Sequence, residues 1–259
     1  MGNEQTHRGV STQVITYLGR VKGVEVYRND AVVKREGDPR PIEPGIRGVI
    51  TEFSDASRKR LAFVASNTAI DFQTMITLTY PGEFTTDGEE VKRHLREFLT
   101  WLRKDIGRYS YLWFLEFQRR GAPHFHILID RKFRGTELLR GLRFRVSSNW
   151  YRIVDSGDAR HVAAGTRVEK VRKADGARFY AVKYAQKMYQ KQVPAEYQSV
   201  GRFWGCSRDV KPEPEAFVRC TEDDVRGALE DWRYAPSAER PIYRVLYNQG
   251  DRFRNRSTG

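Results

Sequence analysis

The 259-residue chain carries a formal charge of +13, a pI near 9.8 and 12% aromatic residues. That length can bury a full core and favours one domain with extensions over two equal domains; the basic, aromatic-rich balance points toward nucleic acid, although charge alone equally fits a merely soluble basic protein. Two cysteines without CxxC spacing, no apolar run able to span a bilayer and no signal-peptide core in Met1 to Gln13 exclude a zinc ribbon and a disulfide framework and imply a soluble protein of the reducing cytosol.

Residues 1 to about 50 are polar and rich in Gly, Pro and charge, which predicts an irregular extension with one strand-like piece at Val24 to Tyr27. Thr51 to Ala65 combines Ser54, Arg58 and Arg60 with a Leu61-Ala62-Phe63-Val64 run and predicts a short amphipathic helix at the entry to the core. Phe72 to Tyr80 is β-rich and ends at Pro81-Gly82, with Met75, Thr77 and Thr79 on one face. Asp87 and Glu90 form a capping box for a helix whose Val91, Leu95, Phe98, Leu99, Leu102 and Ile106 share a face and which Gly107 closes.

Tyr111 to Phe117 and His124 to Ile129 flank an Arg-Arg-Gly-Ala-Pro turn and predict an antiparallel hairpin. His124 and His126 are two residues apart, so in a strand they share a face. A hairpin closing near Arg120 and Gly121 sets Glu116 opposite or diagonal to both. Two histidines and a carboxylate leave open positions on a divalent ion such as Mg or Mn, which substrate oxygens would complete. The plainer reading, side chains on a solvated sheet face, suits His7, His94 and His161. The triplet places two of only five histidines on one face of one apolar strand, which favours the metal.

The order strand, helix, strand, strand suits an α+β fold with an open antiparallel sheet covered by helices. Thr136 to Tyr151 reads as a helix interrupted by Gly141 and by the turn cluster Ser147-Ser148-Asn149; His161 to Val171 reads as a further strand, followed by a turn at Lys173 to Gly176. In the helix predicted over Tyr180 to Tyr189, Tyr180, Lys183, Tyr184 and Lys187 fall within an arc of roughly 100°. A phenol with a reference pKa of about 10 is a poor nucleophile at neutral pH, but neighbouring lysines favour the phenolate and a metal polarising a phosphate lowers the demand on it. Alone, the stripe reads as the wet side of an amphipathic helix. Beside the histidine hairpin, it suggests attack of a tyrosine on DNA, giving a 5′-phosphotyrosine and a free 3′ hydroxyl.

The three segments resemble the HUH endonucleases, the rolling-circle replication initiators with their relaxase and transposase relatives. Thr77-Leu78-Thr79 is similar to motif one, Glu116 with His124 and His126 to motif two, and Tyr180-x-x-Lys183-Tyr184-x-x-Lys187 to motif three of two-tyrosine phage initiators. Related plasmid initiators carry Glu at the position of Tyr180 and use only the tyrosine matching Tyr184. The resemblance implies a ferredoxin/RRM-like nuclease core, a Mg or Mn cofactor, single-stranded or hairpin origin DNA as partner, and a host helicase and DNA polymerase acting beside it. Tyrosines that follow the histidines fit an initiator or transposase better than a relaxase.

Gly201 to Arg208 interleaves Arg202, Phe203, Trp204 and Arg208, and reads either as a base-stacking DNA contact or as a core strand with flanking charges. Thr221 to Trp232 predicts a capped helix. Arg240 to Arg256 predicts a DNA-contacting or disordered arm. These elements divide the chain into a basic extension over 1–66, a core over 67–200 and a basic, aromatic extension over 201–259. The alternatives are a noncatalytic origin-binding protein and a metallopeptidase; the latter lacks a His-Glu-x-x-His helix.

Overall fold

The computed structural model describes residues 21–28, 30–35, 50–171, 193–197, 199–227, 244–247 and 252–253. In chain order its elements are strands β1 (Val21–Val26) and β2 (Asp30–Arg35), helix α1 (Asp55–Asn67), β3 (Thr74–Thr79), α2 (Gly88–Ile106), β4 (Tyr111–Phe117), β5 (Pro123–Ile129), α3 (Thr136–Ile153), α4 (Ala159–Ala164), β6 (Thr166–Lys170), β7 (Trp204–Cys206), β8 (Ala216–Val218), β9 (Arg244–Tyr247) and β10 (Arg252–Phe253). The class is α+β. Two compact units divide the chain, one formed by Met1–Ile46 with Glu213–Gly259 and the other by Arg47–Pro212. Where the sequence suggested boundaries near 66 and 200, the units change at 46/47 and 212/213.

The unit built from both ends holds a sheet of order β10-β9-β2-β1-β8, antiparallel except for the parallel pair β2 and β9. The single strand-like piece expected near Val24 is therefore half of a hairpin. Its second strand, Asp30–Arg35, was masked by charges at both ends, although Ala31, Val32 and Val33 are buried. The tail expected to be a DNA-contacting or disordered arm supplies β9 and β10 to this sheet, which corrects the disordered alternative for those segments. Thr221 caps a helix at 222–227 as expected: Asp224 N–H donates to Thr221 Oγ1 at 3.2 Å and Thr221 N–H to Asp224 Oδ2 at 2.8 Å.

The larger unit is an antiparallel sheet of order β6-β3-β5-β4-β7. Strand β3 buries almost every side chain, as a strand inside a covered sheet must. Helix α2 forms where expected, but the Asp87/Glu90 capping box does not: Asp87 accepts from Glu89 N–H at 2.8 Å, its own N–H donates to Thr85 Oγ1 at 3.2 Å and Glu90 pairs with Arg93, while Gly107 ends the helix at φ +79° and Val91, Leu95, Phe98 and Leu102 are buried. Each such large side chain contributes about 1.5–3 kcal/mol by leaving water. Ser54 caps α1, whose Leu61, Val64 and Ala65 join the same core.

Two elements differ from expectation. Helix α3 runs unbroken through Gly141 and Ser147-Ser148-Asn149, because Leu142, Val146 and Trp150 bury one continuous face and the Ser147 hydroxyl donates to the Val162 carbonyl rather than making a turn. The strand expected over His161 to Val171 is two elements, α4 capped by Asp158 and then β6. Gly165 sits between them, where a Cβ would run into the His161 ring. The turn predicted at Lys173 to Gly176 and the tyrosine helix lie outside the described residues.

One charge in this unit is poorly accommodated. Lys92, on α2, is half-buried as a residue, yet its nitrogen is enclosed without a hydrogen-bond partner among the described residues, 5.3 Å from the Trp113 ring centroid and 5.5 Å from that of Phe125. Burial pushes its pKa down from 10.5 to about 7. Between those values the unfolded chain binds the extra proton, so stability rises with pH across that window and is lowest below it. Lys92→Met is expected to raise stability at pH 6 by about 1–3 kcal/mol and to flatten its rise toward pH 10, as read by thermal unfolding at a series of pH values.

Candidate active site

The site is fixed by register. Across β3, β5 and β4, Thr79 pairs with His124 and His124 with Glu116, while Thr77 pairs with His126 and His126 with Phe114. Directly opposed residues point to the same face, so both rows present side chains on one side of the sheet. The turn that sets this register is closed by Gln118 N–H donating to the Ala122 carbonyl at 2.9 Å and Gly121 N–H to the Gln118 carbonyl at 2.8 Å. Gly121 has φ +80°, a conformation that favours glycine, and a Cβ there would lie 2.8 Å from Glu196 Oε1.

Glu116 and His126 are buried, at 5% and 3% exposure, and His124 is half-buried. His126 Nε2 lies 3.3 Å from Glu116 Oε2. The two histidine rings meet edge to face with centroids 4.6 Å apart, and the Phe114 ring stacks on His126 at 4.9 Å. Each imidazole has a threonine behind it: His126 Nδ1 is 3.3 Å from Thr77 Oγ1, and His124 Nδ1 is 2.9 Å from Thr79 Oγ1. The Gln118 amide nitrogen also approaches His124 Nδ1, at 3.5 Å.

These residues suit a divalent ion in chemistry and in part in spacing. With each Nδ1–H donating to its threonine, each Nε2 presents a lone pair, the arrangement a ligating histidine uses. Ligands about 2.1 Å from an ion at right angles stand about 3.0 Å apart, close to the separation of His126 Nε2 and Glu116 Oε2. Among the described residues no three His, Cys, Asp or Glu side chains are gathered tightly enough to hold an ion.

Thr79 also links the site to the helices behind it. Its carbonyl accepts from Trp150 Nε1–H on α3 and from His161 Nε2–H on α4, each at 2.7 Å. Sequence alone assigned His161 to a solvated face, but it is buried. His94 likewise is buried, with Nδ1 3.0 Å from the Tyr80 hydroxyl. Supporting roles for Gln118, Phe114, Trp150 and His161 were not visible in the sequence; the first two at least lie on or beside the motif strands.

The remaining candidates are placed differently. Phe203, proposed as a base-stacking residue, is 2% exposed and stacks on Phe53 at 5.1 Å, so its ring is committed to the core. Trp204 is half-buried on edge strand β7 and donates through Nε1 to Ser57 Oγ at 3.0 Å. Arg202 and Arg208 are exposed. The core-strand reading therefore describes Phe203 and Trp204. Tyr180, Lys183, Tyr184 and Lys187 lie outside the described residues.

Residues 73–189 match the family model described as replication-associated protein ORF2/G2P. The matched segment is a little under half of the chain and contains the threonines, the glutamate, both histidines and both candidate tyrosines. The match supports a role in replication initiation. No curated protein and no solved structure shows significant similarity to the chain. Among the described residues, no helix is long and apolar enough to cross a membrane.

Arg120 anchors the hairpin tip to the end of β3. Its guanidinium donates to the carbonyls of Tyr80 and Pro81, each at 2.6 Å, and of Gly82 at 3.2 Å, and lies 5.0 Å from the Phe84 ring centroid. Arg120→Ala is expected to lower stability by about 1–3 kcal/mol, measured by chemical denaturation, whereas Arg119→Ala on the same exposed turn is expected to change it little.

Proposed function

We propose that the chain is a replication initiator of the HUH type, which nicks and rejoins single-stranded origin DNA through a covalent tyrosine intermediate. The observation that carries this reading is that register places Glu116, His124 and His126 on one sheet face, with His126 Nε2 3.3 Å from Glu116 Oε2, within the segment that matches replication-associated proteins. Glu116, His124 and His126 would hold Mg or Mn, whose bound form supplies charge to polarise the scissile phosphate. Thr77 and Thr79 orient the two imidazoles, and Phe114 limits the movement of His126.

Tyr184 is the first nucleophile and Tyr180 the second, with the charges of Lys183 and Lys187 favouring the phenolate. The phenol oxygen bonds to phosphorus and its proton leaves to solvent. The bond from phosphorus to the 3′ oxygen breaks, and that oxygen takes up a proton. One phosphodiester is exchanged for another, so the free 3′ hydroxyl can prime synthesis and later reverse the step. A separate helicase and polymerase would complete replication in the host cytosol.

The test incubates wild type, Tyr180→Phe, Tyr184→Phe and the double variant with labelled single-stranded origin DNA and Mn or Mg, scoring covalent adduct on a denaturing gel. Metal-dependent adduct in wild type and none in the double variant is expected. No adduct in wild type would replace the catalytic reading with that of a noncatalytic origin-binding protein.

A further inference from the structure

The β6 edge of the sheet carries a basic groove of about 390 Å³ that the catalytic reading does not use. Arg140, Arg143, Phe144 and Ser147 line it from α3, Val162 from α4 and Arg167 from β6, and among the described residues its lining contains three guanidinium groups and no carboxylate. Residues 140, 143, 144 and 147 recur at helical spacing, so they share one face of α3. Phe144 is 69% exposed. An aromatic ring left in water among three arginines is a costly surface for a soluble chain and a suitable one for a base flanked by phosphates.

The arginines are held without being consumed. Arg143 donates through Nε to the Val168 carbonyl at 3.1 Å, which positions its guanidinium at the sheet edge. Arg167 pairs with Glu169 at 2.7 Å and Arg140 with Glu137 at 3.7 Å; all four residues are outside the core. Such exposed pairs are worth at most about 1 kcal/mol and yield readily to a phosphate.

Position connects the groove to the candidate active site. Thr77 pairs with His126 on one side and with Arg167 on the other, so Arg167 lies on the histidine face, two strands from His126. At strand spacing that is about 10 Å, a span of few nucleotides. Strand β6 is an edge of the sheet. The α3 side of the groove lies on the other face, where Trp150 packs on Tyr80, so a strand crossing from the histidines would reach Arg167 and turn over the β6 edge into the groove.

We infer that this groove is a single-stranded DNA subsite, with Arg140, Arg143 and Arg167 on the phosphodiester backbone and Phe144 stacking a base. The inference rests on the nicking reading for its place along the DNA, but not for its test. Fluorescence anisotropy of labelled oligothymidylate is measured in EDTA across a salt series, with the matching duplex as comparison. Arg143→Gln is expected to weaken single-strand binding and to reduce the salt slope by about 0.7. Phe144→Ala is expected to weaken it by about fivefold to a hundredfold without changing the slope. Phe144→Tyr, which keeps the ring, is expected to bind as wild type does, an outcome that a folding defect at that position would not give.

Arg96→Gln, an exposed charge on α2, is expected to leave binding unchanged. The inference is overturned if Phe144→Ala binds as wild type does, if Arg96→Gln matches Arg143→Gln, or if the duplex suffers the same losses. Covalent adduct formation with unaltered binding in the groove variants would discard the groove alone. Weakened binding in those variants, with no adduct in wild type, would discard nicking alone.

Discussion

The pairing register of β3, β5 and β4 is the constraint on which the rest depends. Side chains alternate with a period of two, so a one-residue slip of β5 would send His124 and His126 to the opposite face. It would also separate them from Glu116 and from both threonines. The tight turn over Gln118 to Ala122, with Gly121 at positive φ, specifies that register from one end. Arg120 secures the same end by reaching the last carbonyls beyond β3. The chemistry proposed for the site therefore begins as a backbone property.

A second level of control passes through Thr79. Its hydroxyl faces His124 while its carbonyl receives donors from Trp150 and His161. Helices α3 and α4 thus fix the residue behind one imidazole, and the same two helices, with β6, form the arginine groove. Trp150 is fully buried against Tyr80, His94 and Phe98, so the helical layer is tied into the core rather than resting on it. The sheet holds the candidate ligands, and the helices anchor the backbone of Thr79 behind one of them.

Much of this was legible in the sequence because it is local. The hairpin, the shared face of its histidines and the alternation of Thr77 and Thr79 all follow from spacing and turn residues. Helix α2 follows from its cap and its apolar stripe. What remained hidden depends on distant partners. The Trp150 and His161 contacts to Thr79 span 71 and 82 residues, and no local pattern encodes them. The arginines around Phe203 left a DNA contact and a core strand equally open, and pairing of its segment with β4 turns the ring into the core. Likewise β2 was hidden between charges, and β1 pairs with β8 from the far end of the chain.

The central claim is that Glu116, His124 and His126 together bind one divalent ion. The most direct measurement is Mn binding by electron paramagnetic resonance, on wild type and on Glu116→Ala, His124→Ala and His126→Ala, with folding checked by circular dichroism. One bound ion per chain in wild type, lost in each folded variant, is the predicted result. Binding that persists unchanged in all three variants, or its absence from wild type, would contradict the claim.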